Sequence, residues 1–234
     1  MTAHPGAHPG PLAFVADLDH PELAEDDRHH LARVLRLRAG DPMTVADGAG
    51  GWRTAAFVDR GVLGDLGPRQ QEAAPEPELA VGFALVKGDK PELVVQKLTE
   101  LGIDRIIPFR AERSVVRWDE AKAAKAHTRL VAVARGAAAQ SHRARLPVVE
   151  PIADLAGLVG RPGAALADRI GVAPTLAHPL LLVGPEGGWD PTERRDELPS
   201  VALGPHVLRA ETAAVTAGAL LAALRVRLVA PIGD

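Results

Sequence analysis

The chain has 234 residues, a formal net charge of −3 and no cysteine, which excludes disulfides, thiolate metal sites and a cysteine nucleophile. Its length allows one large domain or two modest ones. The opening residues lack a basic stretch followed by an apolar core, and the longest apolar run, Ala213 to Leu224, is too short for a membrane span of ~20 residues. A soluble, cytoplasmic protein without membrane contact is expected.

In chain order, residues 12 to 66 read as β-rich, with turn signals at Gly40-Asp41, Asp47-Gly48 and Gly50-Gly51. Met43-Thr44-Val45 and Thr54 to Val58 read as short strands, and one helix is expected from about Glu25 to Leu37. Gly67 to Glu78 is rich in proline and charge and lacks an apolar period, so it reads as a linker. The pattern then alternates strand and helix. Strands are expected at Leu79 to Val86, Ile103 to Phe109, Ala164 to Ala167, Leu180 to Val183 and Val201 to Leu203. A helix opens at Pro91 and stops at Gly102, with Leu93, Val94, Lys97, Leu98 and Leu101 on its inner face. A long helix runs from Asp119 to about Gln140, a short acidic one opens at Pro191, and the last spans Glu211 to Leu228. The expectation is an α/β protein with a mainly parallel sheet, divided into residues 1–74 and 75–234.

Charge is unevenly spread. Asp17 to Asp27 carries six acids, and Arg28 to Arg38 then carries Arg28, Arg33, Arg36 and Arg38 without an acid. An acid-free stretch from His127 to Leu146 holds Arg129, Arg135, Arg143 and Arg145, and Arg105, Arg110, Arg113 and Arg117 form a third group. Local field rather than net charge steers a polyanion, and arginine suits bidentate phosphate contact. Solvated faces, paired with neighbouring acids, are the plainer reading.

Several function classes are excluded. There is no phosphate-binding G-x-x-x-x-G-K-[ST], no dinucleotide-binding G-x-G-x-x-G after the first strand of the α/β part, and no G-x-S-x-G. His4 and His8 lie in a Pro/Gly-rich tail and His29-His30 are adjacent, and neither pair offers the helical spacing of a zinc site with a third ligand in view, so no metal is expected.

Two glycine-marked loops remain: Gly184-Pro185-Glu186-Gly187-Gly188 after one apolar run, and Leu203-Gly204-Pro205-His206-Val207-Leu208-Arg209 before an alanine-rich helix. Glycine past a strand end lets bare backbone approach a ligand. Two such loops at neighbouring strand ends could wrap one small molecule.

These loops, with His29 to Asp41 (HHLARVLRLRAGD) and Gln96 to Val115 (QKLTELGIDRIIPFRAERSV), resemble in order and across both parts the family of 16S ribosomal RNA uridine-N3 methyltransferases, within the SPOUT class. The resemblance implies an N-terminal PUA-like β-barrel and a C-terminal α/β domain with a deep trefoil knot. It implies S-adenosylmethionine held by Leu182, Gly184, Glu186, Gly187 and Gly188 and by Leu203, Gly204, Val207, Leu208, Arg209, Glu211 and Thr212. It also implies a homodimer acting on 16S rRNA of the small ribosomal subunit. Arg209 and Arg113 are the candidates for stabilising charge on the uracil oxygens; Glu211 is the candidate proton acceptor, with capping of its own helix the preferred role. Arg33, Arg36, Arg38 and Arg143 are the candidate RNA contacts, with Arg33 and Arg36 expected on one helical face. His206 and Ala210 stand where the family pattern has arginine and threonine. The alternatives are a SPOUT enzyme modifying a ribose 2′-hydroxyl or a tRNA base, and a non-catalytic RNA-binding protein on the same scaffold.

Overall fold

The structure, a computed structural model, describes residues 8–58, 62–114, 116, 118–194 and 198–230; Val115 and Arg117 lie outside the described residues. The chain divides into two compact units, one comprising residues up to Ala74 together with Arg135–Leu146, the other the rest. Two unbroken pieces had been expected. The reassigned segment belongs with the first unit because Ala138 and Ala144 are buried there against Leu12, Phe14, Ala46 and Trp52.

In the first unit, β1 (Leu12–Phe14) pairs parallel with β2 (Pro42–Ala46), which pairs antiparallel with β3 (Gly51–Phe57). Strands β4 (Leu63–Gly64) and β5 (Gln70–Gln71) both pair with β3, so the start of the expected linker is sheet. Successive side chains of a strand point to opposite faces. Accordingly Ala13, Val15, Met43 and Val45 enter one cluster, and Leu12, Phe14, Ala46 and Trp52 the other. The β2–β3 turn is held by Asp47, whose carboxylate accepts the N–H groups of Ala49 (2.7 Å) and Gly51 (2.9 Å) while Gly48 and Gly50 take left-handed φ.

The first helix is shorter than expected. Helix α1 (Glu25–His29) passes into a π-helical turn, His30–Val34, and Arg36 then adopts φ 56°. That reversal brings Leu37 onto the core beside Leu31, leaving Val34 and Leu35 outside. Arg33 and Arg36 therefore do not share a helical face.

The second unit is a seven-stranded, all-parallel sheet. Its elements are β6 (Ala80–Ala84), α2 (Lys90–Glu100), β7 (Arg105–Arg110), α3 (Glu120–Gln140, which from Arg135 on belongs to the first unit), β8 (Val148–Val149), β9 (Ala153–Asp154), β10 (Ala164–Asp168), β11 (Leu180–Val183), β12 (Ser200–Ala202) and α4 (Ala210–Arg225). The order is β12-β10-β11-β6-β7-β8, with β9 also on β7. Helix α3 begins at Asp119, whose carboxylate accepts the Lys122 N–H at 2.7 Å.

A parallel sheet is buried on both faces. Val81, Phe83, Ile106, Leu181 and Val183 pack with α2, α4 and Leu130 on one side; Ala80, Ile107, Phe109, Leu180 and Leu182 pack with Leu155, Leu158 and Trp189 on the other. Helix α2 is rotated from the expected phase: Val94, Val95, Leu98 and Thr99 are buried, whereas Leu93 is exposed. It presses against α4 at Gly218, where a Cβ would stand 2.5 Å from Leu98 Cδ2. Small residues on α4 thus set the helix spacing. From Pro191 the described residues form a turn where an acidic helix was expected, and there the Asp190 carboxylate accepts both the backbone N–H (3.0 Å) and the hydroxyl (2.8 Å) of Thr192. No helix among the described residues is long and apolar enough to cross a membrane.

Near the start of β7, Glu150 accepts two hydrogen bonds from Arg161 (2.7 and 2.9 Å) and one from Arg105 (3.0 Å). The Arg161 guanidinium, helped by Arg105 and opposed by partial burial, holds the Glu150 carboxyl below its ordinary value. A depressed carboxylate contributes stability above its unfolded pKa and loses it as pH falls through the folded value. Replacement of Glu150 with Gln is expected to cost roughly 1–2 kcal/mol at neutral pH. Urea unfolding should show the gap narrowing as pH is lowered below about 4.

Candidate functional site

Because β10, β11 and β12 run parallel, their C-terminal ends open onto one edge, and a cleft of about 390 Å³ lies there. Strand β10 separates β11 from β12, so the two glycine loops do not follow adjacent strands as expected; Ala167, Asp168 and Arg169 form a wall between them. The first loop is a turn closed by the Gly188 N–H donating to the Pro185 carbonyl at 2.8 Å. Gly188 has φ 70° and Gly204 φ 153°, and a Cβ on either would meet no atom of the described residues within 4 Å. At both positions, bare backbone borders open space.

The floor of the first loop is set by Trp189. Its indole N–H donates to the Ala167 carbonyl at 3.0 Å and its ring stacks on Phe109, with centroids 6.1 Å apart. The ring lies directly under Gly184, where a Cβ would be 2.9 Å from it. Gly187, by contrast, has ordinary room for a Cβ beside Arg113 at 3.5 Å.

Of the residues expected to bind cofactor, Gly184, Glu186, Gly187, Gly188, Leu203, Gly204, Val207 and Leu208 line the cleft. Leu182 does not: it is a fully buried strand residue packed among apolar side chains. Arg209 precedes the first turn of α4 as its N-cap, Thr212 is exposed on that turn, and neither lines the cleft. His206 is exposed at the rim, while Ala210 is buried where α4 starts.

Glu211 departs most from expectation. No side-chain hydrogen bond caps α4; instead one carboxylate oxygen lies 3.1 Å from Lys90 Nζ, and the other is buried without a partner among the described residues. Burial raises the Glu211 carboxyl, but its own backbone N–H, Lys90 and Arg209 outweigh that and hold it below the ordinary value.

Arg113 sits on a turn, Ala111 to Ser114, braced by the Ala111 N–H donating to Ser114 Oγ at 3.1 Å. Its guanidinium donates to the Gly187 carbonyl (3.2 Å) and to Asp190 (3.3 Å), so it clasps the first loop from outside. The Thr192 N–H and hydroxyl, with Arg113, hold the Asp190 carboxyl below its ordinary value. Asp168 and Arg194, which pair at 2.8 Å, and Trp189 were missed from sequence; only the aromatic residue directly after the Gly-Gly pair gave a signal.

A larger cavity, about 550 Å³, is lined by residues including Arg110, Ser114, Trp118 and Asp154, but by none of the loop glycines. Among the described residues no cluster of three or more His, Asp or Glu could hold a metal ion.

In the first unit Arg33, Arg36 and Arg38 are exposed, and none has a side-chain partner among the described residues, whereas Arg28 pairs with Glu25. Arg143 is half-buried. Arg135 is committed internally, donating to the Phe14 carbonyl (2.9 Å) and Asp27 (3.0 Å), and Arg129 pairs with Glu92.

Gly184→Ala is expected to cost about 1–3 kcal/mol by driving a methyl into Trp189. Gly187→Ala should stay within about 0.5 kcal/mol of the parent. Denaturant midpoints of the two variants measure the difference.

Residues 74–222 match the family described as RNA methyltransferase domain, and residues 23–61 match the RNA methyltransferase PUA domain. Ribosomal RNA small subunit methyltransferase E of Mycobacterium bovis is 36% identical, over 89% of this chain and 88% of that one; the Bacillus subtilis protein of the same name is 32% identical, over 82% and 85%. The crystal structure of that methyltransferase from Neisseria gonorrhoeae, bound to S-adenosylmethionine, is 29% identical and superposes with a TM-score of 0.74, covering 92% of this chain and 97% of that one. A putative methyltransferase from Legionella pneumophila in complex with the same cofactor is 27% identical, with a TM-score of 0.77 over 91% and 96%. By domain match, sequence identity and coverage, the chain belongs to the ribosomal RNA small subunit methyltransferase E family.

Proposed function

We propose that this chain transfers a methyl group from S-adenosylmethionine to N3 of a specific uridine in 16S rRNA of the small ribosomal subunit. The observation that carries the reading is the single cleft bordered by bare backbone from two glycine loops, in a chain of this family. The residues fit the cofactor: Gly188 and Gly204 leave open space where side chains would stand, and the cleft's volume lies within the range of small-molecule sites. Bound there, the cofactor would supply an activated methyl group.

The chain's own contribution is orientation and charge. Fixing a nucleophile at near-attack distance supplies several kcal/mol, up to about 7–11 in favourable cases. Uridine N3 must shed its imide proton, which leaves negative charge on the uracil oxygens. We assign that charge to Arg113, whose guanidinium is anchored at the first loop by Asp190 and the Gly187 carbonyl, with Arg209 as a second source of positive field. Glu211 is a weak proton acceptor while Lys90 and its own N–H hold it ionised, so we assign it to loop support. Leu182 and Thr212 have no contact role in this reading.

Arg33, Arg36 and Arg38, exposed and without side-chain partners among the described residues, are assigned to RNA phosphates, with Arg143 a weaker candidate because it is half-buried. Their grip would help to offset the few kcal/mol that turning a base out of its stack costs. A homodimer is part of the proposal. It is supported by Ile170, Val172 and Val207, large apolar side chains exposed at the ends of β10 and β12. We also read the C-terminal threading as a trefoil knot and the cytoplasm, where ribosomes are assembled, as the site of action.

Incubation with labelled S-adenosylmethionine and purified small subunits is expected to yield N3-methyluridine on nucleoside analysis. Gly204→Val should abolish transfer and cofactor binding by calorimetry. Label recovered in a ribose or in another base would overturn the assignment. Combining Arg33→Ala with Arg38→Ala should weaken rRNA binding and flatten its salt slope by about one to two units, leaving cofactor affinity intact. Titrations at two salt concentrations measure this.

A further inference from the structure

Lys90 opens α2, immediately past the loop that follows the central strand β6. Its ammonium lies 3.1 Å from an Glu186 oxygen, in the first glycine loop, and 3.1 Å from a Glu211 oxygen, in the first turn of α4 behind the second loop. Lys90 does not line the cleft; it borders a separate cavity of about 170 Å³ with Leu85, Val86, Pro185 and Glu186. One cation on a third element thus reaches both the first glycine loop and the helix that follows the second. The Glu211 side chain is only 14% exposed, and its second oxygen is buried without a partner among the described residues. With Lys90 removed, that carboxylate would be left with its own N–H and the field of Arg209, and Glu186 would lose the hydrogen bond that ties its loop to α2.

We propose that Lys90 is a positioning residue for methyl transfer: acting through Glu186 and Glu211, it holds the two glycine loops at the separation that the cofactor requires. The proposal rests on reading the cleft as the cofactor site. It differs from a generic helix-stabilising role in requiring both carboxylates. A cation at the first helical residue is unfavourable to the helix dipole, so Lys90 is not there for the sake of α2.

The test uses the full chain and S-adenosylmethionine in calorimetric titrations. Lys90→Met is expected to weaken binding roughly tenfold, the scale of two partly screened charge-assisted bonds. Lys90→Arg should retain most of the affinity. In a Glu186→Gln, Glu211→Gln background, adding Lys90→Met should cost less than about twofold, since the partners are already neutral. Full affinity in Lys90→Met, or an equal loss in the double-glutamine background, would overturn the proposal. Amide hydrogen exchange without cofactor gives an independent readout: Lys90→Met should speed exchange in both Gly187–Gly188 and Leu208–Ala210, and unchanged exchange in either segment defeats the strut. If the parent chain binds no cofactor, the functional reading fails, and the exchange measurement still decides the role of Lys90.

Discussion

Seven strands lying parallel in one sheet send the segment that follows each of them to the same edge, and the rest of this molecule depends on that constraint. Such a sheet must be covered on both faces, which consumes the alternating apolar residues of β6, β7 and β11 and leaves their side chains nothing to do but pack. Chemistry is therefore delegated to the segments beyond the strand ends, and largely to their main chain. Leu182 illustrates the division: one residue short of the end of β11 it is pure core, while Gly184, two residues on, borders the cleft.

The charged residues follow a second division. Arg105, Arg135, Arg161 and Arg225 are spent inside their own units, on Glu150, Asp27 and Asp104 and on main-chain carbonyls. Arg33, Arg36 and Arg38 are left over on the surface. Clusters that look alike along the chain thus separate into scaffold and cations without a side-chain partner among the described residues. The same holds beside the cleft, where Arg113 clasps a loop and Lys90 bridges that loop to α4.

Much of this was readable from residues. The positions of β6, β7, β10, β11 and β12, the Pro91 and Asp119 helix starts and the two loops follow from local patterns whose cause is local: an apolar run, a proline at a first turn, a carboxylate that caps; the two-residue strands β8 and β9 gave no such signal. What escaped has a non-local cause. The break after Val34 arises because Leu37 finds the core by a left-handed turn at Arg36, and helical periodicity cannot encode that reversal. The phase of α2 was misjudged because Leu93 and Val95 are equally apolar, and only the partner helix decides between them. The insertion of β10 between β11 and β12 brought Asp168 and Arg169 to the site, and strand order is invisible to spacing. Lys90 was hidden for the same reason, standing 96 residues from one of its partners.

The contact between Gly184 and Trp189 carries a consequence for how this chain can vary over evolutionary time. The indole occupies the volume that any side chain at position 184 would need, and it also satisfies the last carbonyl but one of β10. Neither position is free to drift alone. A lineage that acquires bulk at 184 must shrink 189 in step and find the Ala167 oxygen a new donor, so the two sites should be inherited as a pair.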